Sequence, residues 1–181
     1  MPEKLLVSVS MLFMALFAPA QDFDKKAFCA SLKHAFTAFE SSDDSLKGDY
    51  AGVNSLGIEQ WKAKISLPDA VEGIYEYSSY LSPEYRATYL MRKNADADEA
   101  AELYKKIVSA VRQCYGMDFL LEEKISTEYR GGKKVEQLEA VFTRSIASSS
   151  GYQTPYIRVS STAYETGSDF EVLVELVKPL E

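Results

Sequence analysis

The chain has 181 residues, with 27 acidic against 20 basic side chains and a formal charge of -7. Net negative charge of this size disfavours non-specific contact with nucleic acid and anionic membrane, and no basic stretch with interleaved aromatics opposes that reading. One histidine and two cysteines exclude the multi-histidine and multi-cysteine centres of common zinc proteins, and no cofactor motif is present.

The first twenty residues read as a secretory signal peptide. Lys4 precedes an apolar run from Leu5 to Phe17 that only serines interrupt, and Ala18-Pro19-Ala20 puts small residues at the minus-three and minus-one positions of a cleavage site. The run is shorter than the roughly 20 apolar residues of a membrane-spanning helix. No cysteine follows it to take a lipid. Residues 21–181 are therefore expected to form a single exported domain, soluble in the periplasm or the medium. Glu3 and Lys4 leave together, so the charge is unchanged.

From Phe23 to Phe39 the spacing of Phe28, Leu32, Ala35, Phe36 and Phe39 predicts an amphipathic helix, capped by Asp22 or Asp24. Ser41 to Ser45 ends it. The segment through Gly57 reads as an irregular connection anchored by Leu46, Tyr50, Val53 and Leu56. The period then becomes two: Trp61, Ala63, Ile65 and Leu67 alternate with Lys62, Lys64 and Ser66, and Pro68 closes the strand. Ile74 to Tyr80 and Tyr85 to Met91 follow as an antiparallel hairpin turning at Leu81-Ser82-Pro83-Glu84.

A second helix begins at Asp96, with Glu99 completing a capping arrangement, and carries Ala100, Leu103, Ile107, Ala110 and Val111 along one stripe up to Gly116. Four strands come after it. Phe119 to Tyr129 turns at Arg130-Gly131-Gly132-Lys133 into the strand with Leu138, Ala140 and Phe142, and Tyr156 to Tyr164 precedes Phe170 to Val177. The order helix, three strands, helix, four strands predicts an α+β domain, its predominantly antiparallel sheet carrying both helices on one face.

Cys29 shares a helix face with Leu32 and Phe36, and Cys114 shares one with Leu103, Ile107 and Val111. Two inward-facing cysteines in an exported chain predict a structural disulfide. By loop entropy alone, closing about 85 residues contributes about 4.5 kcal/mol. The Trp61 to Pro68 segment, and the second helix with its Cys114, resemble small exported proteins of unknown function from Bacteroidota. That resemblance carries no functional residues.

Catalytic chemistry finds little support. His34 is alone, and neither His-Glu-x-x-His nor a Gly-x-Ser-x-Gly elbow occurs. Asp43 and Asp44, Asp96 and Asp98, and Glu122 and Glu123 read as capping or solvated groups, outside any calcium loop. Arg130, Lys133 and Lys134 at the Gly131-Gly132 turn read as an ordinary charged tip. Tyrosine is the distinctive feature: Tyr75, Tyr77, Tyr80, Tyr85 and Tyr89 crowd one hairpin. Tyr75, Tyr77, Tyr85 and Tyr89 are the candidate binding residues, because a tyrosine presents a large ring with a polar tip to a protein or saccharide. The leading expectation is a non-enzymatic binding protein of the envelope or medium. A small hydrolase using carboxylates or a Ser-His pair and a self-associating structural subunit are the alternatives.

Overall fold

A computed structural model describes residues 23–42, 44–79, 83–130, 133–145, 154–163 and 170–180, and describes no side chains at 128–130, 133–136 and 163. The expected signal peptide, the Leu81-Ser82 turn and the Gly131-Gly132 tip lie outside the described residues. In chain order the elements are α1 (Lys25–Ser41), β1 (Lys47–Val53), β2 (Glu59–Ala63), β3 (Glu72–Ser78), β4 (Glu84–Ala95) and α2 (Ala97–Tyr115). A 3₁₀ turn (Gly116–Asp118) then leads into β5 (Phe119–Arg130), β6 (Lys133–Arg144), β7 (Tyr156–Ala163) and β8 (Phe170–Pro179).

The strands form an eight-stranded sheet, ordered β1-β2-β3-β4-β8-β7-β6-β5, with every pairing antiparallel. The order is a palindrome: each half is a helix followed by four strands, and the fourth strands of the two halves pair at the centre. The α+β class and the helix, strands, helix, strands order hold as expected. The first half, however, has four strands where the sequence pattern marks three.

The additional strand is β1, in the segment read as irregular. Its pairing with β2 shifts register between Lys47 and Tyr50 and again between Tyr50 and Gly52. Each bulge resets the alternation of side chains, which erases the period-two pattern. The turn into β2 is built by Asn54, whose Oδ1 accepts from the amides of Leu56 at 2.9 Å and Ile58 at 3.0 Å. Gly57 sits at φ +80°, where a glycine carries no Cβ penalty. At the other end of β2, pairing stops at Ala63, yet Leu67 is still buried.

Both helices start where the caps predict. The amides of Lys26 and Ala27 donate to Asp24 Oδ1, each at 3.0 Å, and that of Glu99 donates to Asp96 Oδ1 at 2.8 Å. Such caps satisfy amides that have no intrahelical acceptor, each worth about 1 kcal/mol. The α1 stripe Phe28, Leu32, Ala35, Phe36 and Phe39 is buried, as are Ala100, Tyr104, Ile107, Val108, Ala110, Val111 and Cys114 of α2. They close over the inward residues of the central strands: Ala87, Tyr89, Val172, Val174, Leu176, Ile157, Val159, Ala140 and Phe142. Helix α2 lies against β4 to β8, whereas α1 packs chiefly on α2 and β8. Cys29 and Cys114 meet at disulfide distance between the helices, with Cα atoms 5.4 Å apart.

Candidate functional site

Register places the tyrosines of the β3–β4 hairpin on one side of the sheet. Tyr75 stands opposite Ala87, Tyr77 opposite Tyr85, and Tyr89 opposite Gly73, so all four predicted binding residues occupy the helix-bearing face. Two of them belong to the core: Tyr75 is 1% exposed and Tyr89 fully buried. The other two are more open, with Tyr77 41% exposed and Tyr85 half-buried.

Gly73 explains how Tyr89 fits. A Cβ there would approach the Tyr89 ring carbons Cδ1 and Cε1 to 3.0 and 3.1 Å, so the missing side chain is the space the ring occupies. The Tyr89 hydroxyl is buried with no hydrogen-bond partner. Burial pushes its pKa well above the ordinary phenol value, because a phenolate there would be desolvated. Tyr89 is a neutral core residue and takes no part in a surface site.

The exposed rings join two aromatics that the sequence reading left out of the site. Trp61 of β2 pairs with Tyr75 and, on its other side, with Tyr50 of β1. The result is a continuous ladder across four strands. Centroids are 6.1 Å apart from Tyr50 to Trp61, 6.4 Å from Trp61 to Tyr75, 6.1 Å from Tyr75 to Tyr85 and 5.1 Å from Tyr85 to Tyr77. These spacings are those of interacting aromatic pairs. Tyr50, at the sheet edge, is 58% exposed. Lys47 Nζ stands 4.0 Å from the Trp61 ring centroid, a cation–π contact that holds the indole in place. Val53 and Leu56, at the β1–β2 turn, extend the exposed apolar surface.

The ladder is rough. Successive ring planes meet at 68°, 58°, 16° and 45°, so only Tyr75 and Tyr85 stack. Trp61 was visible in the sequence as part of a strand. Tyr50 was visible as an anchor in a loop, and its place beside Trp61 follows only from the bulged register of β1.

The remaining sequence candidates stay apart from one another. His34 is exposed on α1 and makes no hydrogen bond or ion pair among the described residues. Asp96 is the α2 cap, Asp44 and Asp98 are exposed, and Glu122 and Glu123 are consecutive in β5 and so point to opposite faces. Asp43 and the side chains of Arg130, Lys133 and Lys134 lie outside the described residues. Among the described residues no group of three or more His, Cys, Asp or Glu is arranged to hold a metal ion.

Two carboxylates do converge on the face opposite the helices. Glu175, 5% exposed, accepts from Arg158 Nε at 2.6 Å and Nη2 at 3.0 Å, and Arg86 Nη1 lies 3.7 Å from it. Arg86 also pairs with Glu84. Both carboxylates are thus held by guanidinium groups, and bidentate pairing of this kind is geometrically specific. The cluster ties β4, β8 and β7 together across the sheet.

Comparison with protein-family models, with curated proteins and with solved structures finds no match to this chain.

Proposed function

We propose that this protein is a non-enzymatic binding protein of the periplasm or extracellular medium, and that it takes a protein partner on the Tyr50–Trp61–Tyr85–Tyr77 surface. The carrying observation is a continuous aromatic ladder whose two ends, Tyr50 and Tyr77, are 58% and 41% exposed beside the apolar side chains of Val53 and Leu56. Tyrosine and tryptophan contribute disproportionately to protein interfaces, because their rings bury large apolar area while the polar tip stays hydrogen-bonded. The tilted ring planes favour an irregular protein surface over a flat saccharide chain, which stacks on coplanar rings. The signal-like first twenty residues support export, and the Cys29–Cys114 pair at disulfide distance is compatible with an oxidising compartment.

Trp61 is the single tryptophan of the chain, so its fluorescence reports on the ladder directly. The test has two arms. Captured envelope or secreted proteins are each purified and titrated against the wild-type protein and the Tyr50→Ala/Tyr77→Ala variant, and a panel of soluble polysaccharides is titrated in parallel. The expected result is a protein that shifts Trp61 emission and loses at least about tenfold in affinity on removal of the two rings, about 1.4 kcal/mol. Equal binding to both forms, or a response to polysaccharides alone, overturns the reading.

A further inference from the structure

A concave site separate from the ladder lies where α1, the end of α2 and the end of β6 converge. Helix α2 ends at Tyr115, and Gly116 at φ +57° lets the chain leave sharply into β5. This exit sets Tyr115, Asp118 and Phe119 on one wall. Lys33 and Thr37, one helical turn apart on α1, face them, and Arg144 and Ser145 close the site. The Ser145 amide donates to the Asp118 carbonyl at 2.9 Å and its hydroxyl lies 3.1 Å from the Met117 and Asp118 carbonyls, which pins β6 to the turn. The cavity measures about 490 Å³, within the range of small-molecule sites.

The floor is aromatic. Tyr115 and Phe119 lie 4.4 Å apart, and the buried Phe36, which does not itself line the cavity, packs 5.5 Å from Phe119 and 5.9 Å from Tyr115. The rim carries charge of both signs. Arg144 is committed, with its guanidinium 2.6 Å from Glu40 and 6.0 Å from the Phe36 centroid. Lys33 Nζ stands 5.8 Å from the Tyr115 centroid, and neither it nor the Asp118 carboxylate has an ion-pair partner among the described residues. One ammonium and one carboxylate, unpaired with each other, thus flank an apolar floor. A purely anionic ligand would meet the Asp118 carboxylate, and a purely apolar one would make no use of either charge. A ligand with a carboxylate, an ammonium and an apolar side chain satisfies all three features, and the volume admits more than a single amino acid.

We propose that this cavity binds a short zwitterionic peptide, its carboxylate toward Lys33, its ammonium toward Asp118 and an apolar side chain on the Tyr115 and Phe119 rings. This site is separate from the ladder and stands whether or not the ladder reading does. The test is calorimetric titration of the purified exported protein with L-leucyl-L-phenylalanine, its N-acetyl derivative and its C-terminal amide, which differ by one charge each. The dipeptide is expected to bind about tenfold more tightly than either derivative. Lys33→Gln should remove the preference over the amide, and Asp118→Asn the preference over the N-acetyl form. Both residues are exposed, so circular dichroism and Tm should match the parent, and Tyr50→Ala should leave all three affinities unchanged. Absence of binding by all three, equal affinities, or preferences that survive both substitutions overturn the proposal.

Discussion

The two halves of the chain share one plan, a helix and four antiparallel strands, and use it differently. In the second half, α2 lies over its own strands, and the inward residues of β6 to β8 are sealed beneath it. In the first half, α1 packs mainly on α2 and β8 instead of crossing β1 to β3. The inward face of those strands is therefore buried at Tyr75 and half-buried at Trp61, and it emerges into solvent as Tyr77 and Tyr50. Repeated architecture supplies one half that stabilises and one that presents.

The contrast depends first on the tie between the helices. Replacing Cys29 and Cys114 by alanine, or reducing the protein, is expected to lower unfolding free energy by as much as about 4.5 kcal/mol in urea denaturation. No loss, or two freely alkylated thiols in the unreduced protein, would show that packing alone holds the halves together. Next comes a direct comparison of the faces. Phe142→Ala, in the sealed half, is expected to destabilise by about 3–5 kcal/mol, whereas Tyr50→Ala on the presenting edge should stay within about 0.5 kcal/mol. Similar losses at the two sites would erase the distinction. Gly73→Ala probes the boundary, since its Cβ would press on the Tyr89 ring and on Ala63 Cβ; a loss of about 1–3 kcal/mol is expected, restored in part when Tyr89 is also replaced by leucine, which removes the ring carbons, but not when it is replaced by phenylalanine, which keeps them.

The smallest effect is alkaline. Burial, aided by the charges of Glu123 and Glu139, pushes the Tyr104 phenol up to about 12, above its value near 10 in an unfolded chain. A raised folded-state pKa means that the unfolded chain loses its proton first as pH rises, so the stabilisation is complete below about pH 10 and is lost between about pH 10 and 12. Tyr104→Phe should flatten that decline in chemical denaturation curves, and an unchanged slope would place the alkaline sensitivity elsewhere.

Much of the scaffold was legible because it follows local rules. The α1 and α2 stripes repeat at helical spacing, Asp24 and Asp96 cap where they should, and each cysteine sits on the buried side of its stripe, so helical periodicity alone brought the pair within reach. The alternation of Tyr75 and Tyr77 correctly put both on one face. Strand β1 was hidden because two bulges and two glycines break its alternation. The ladder was hidden because parity gives a ring its face but not its neighbours: that Tyr75 is buried and Tyr77 open follows only from the packing of the whole domain. The cavity was least legible, since Lys33, Asp118 and Arg144 lie far apart in the chain and meet only through the α2 exit.

The central position of β8 also bears on the order in which the molecule can be completed. Residues 170–179 are made after the other described strands, yet they lie between β4 and β7 and carry Val172, Val174 and Leu176 into the core. Until they emerge, β4 has no partner on its inner edge and the two half-sheets have no shared seam. A chain crossing a membrane from its amino end would hold an open, hydrophobic sheet edge for almost its entire passage, a vulnerable state. The last strand to arrive closes that edge and unites the two halves in one step.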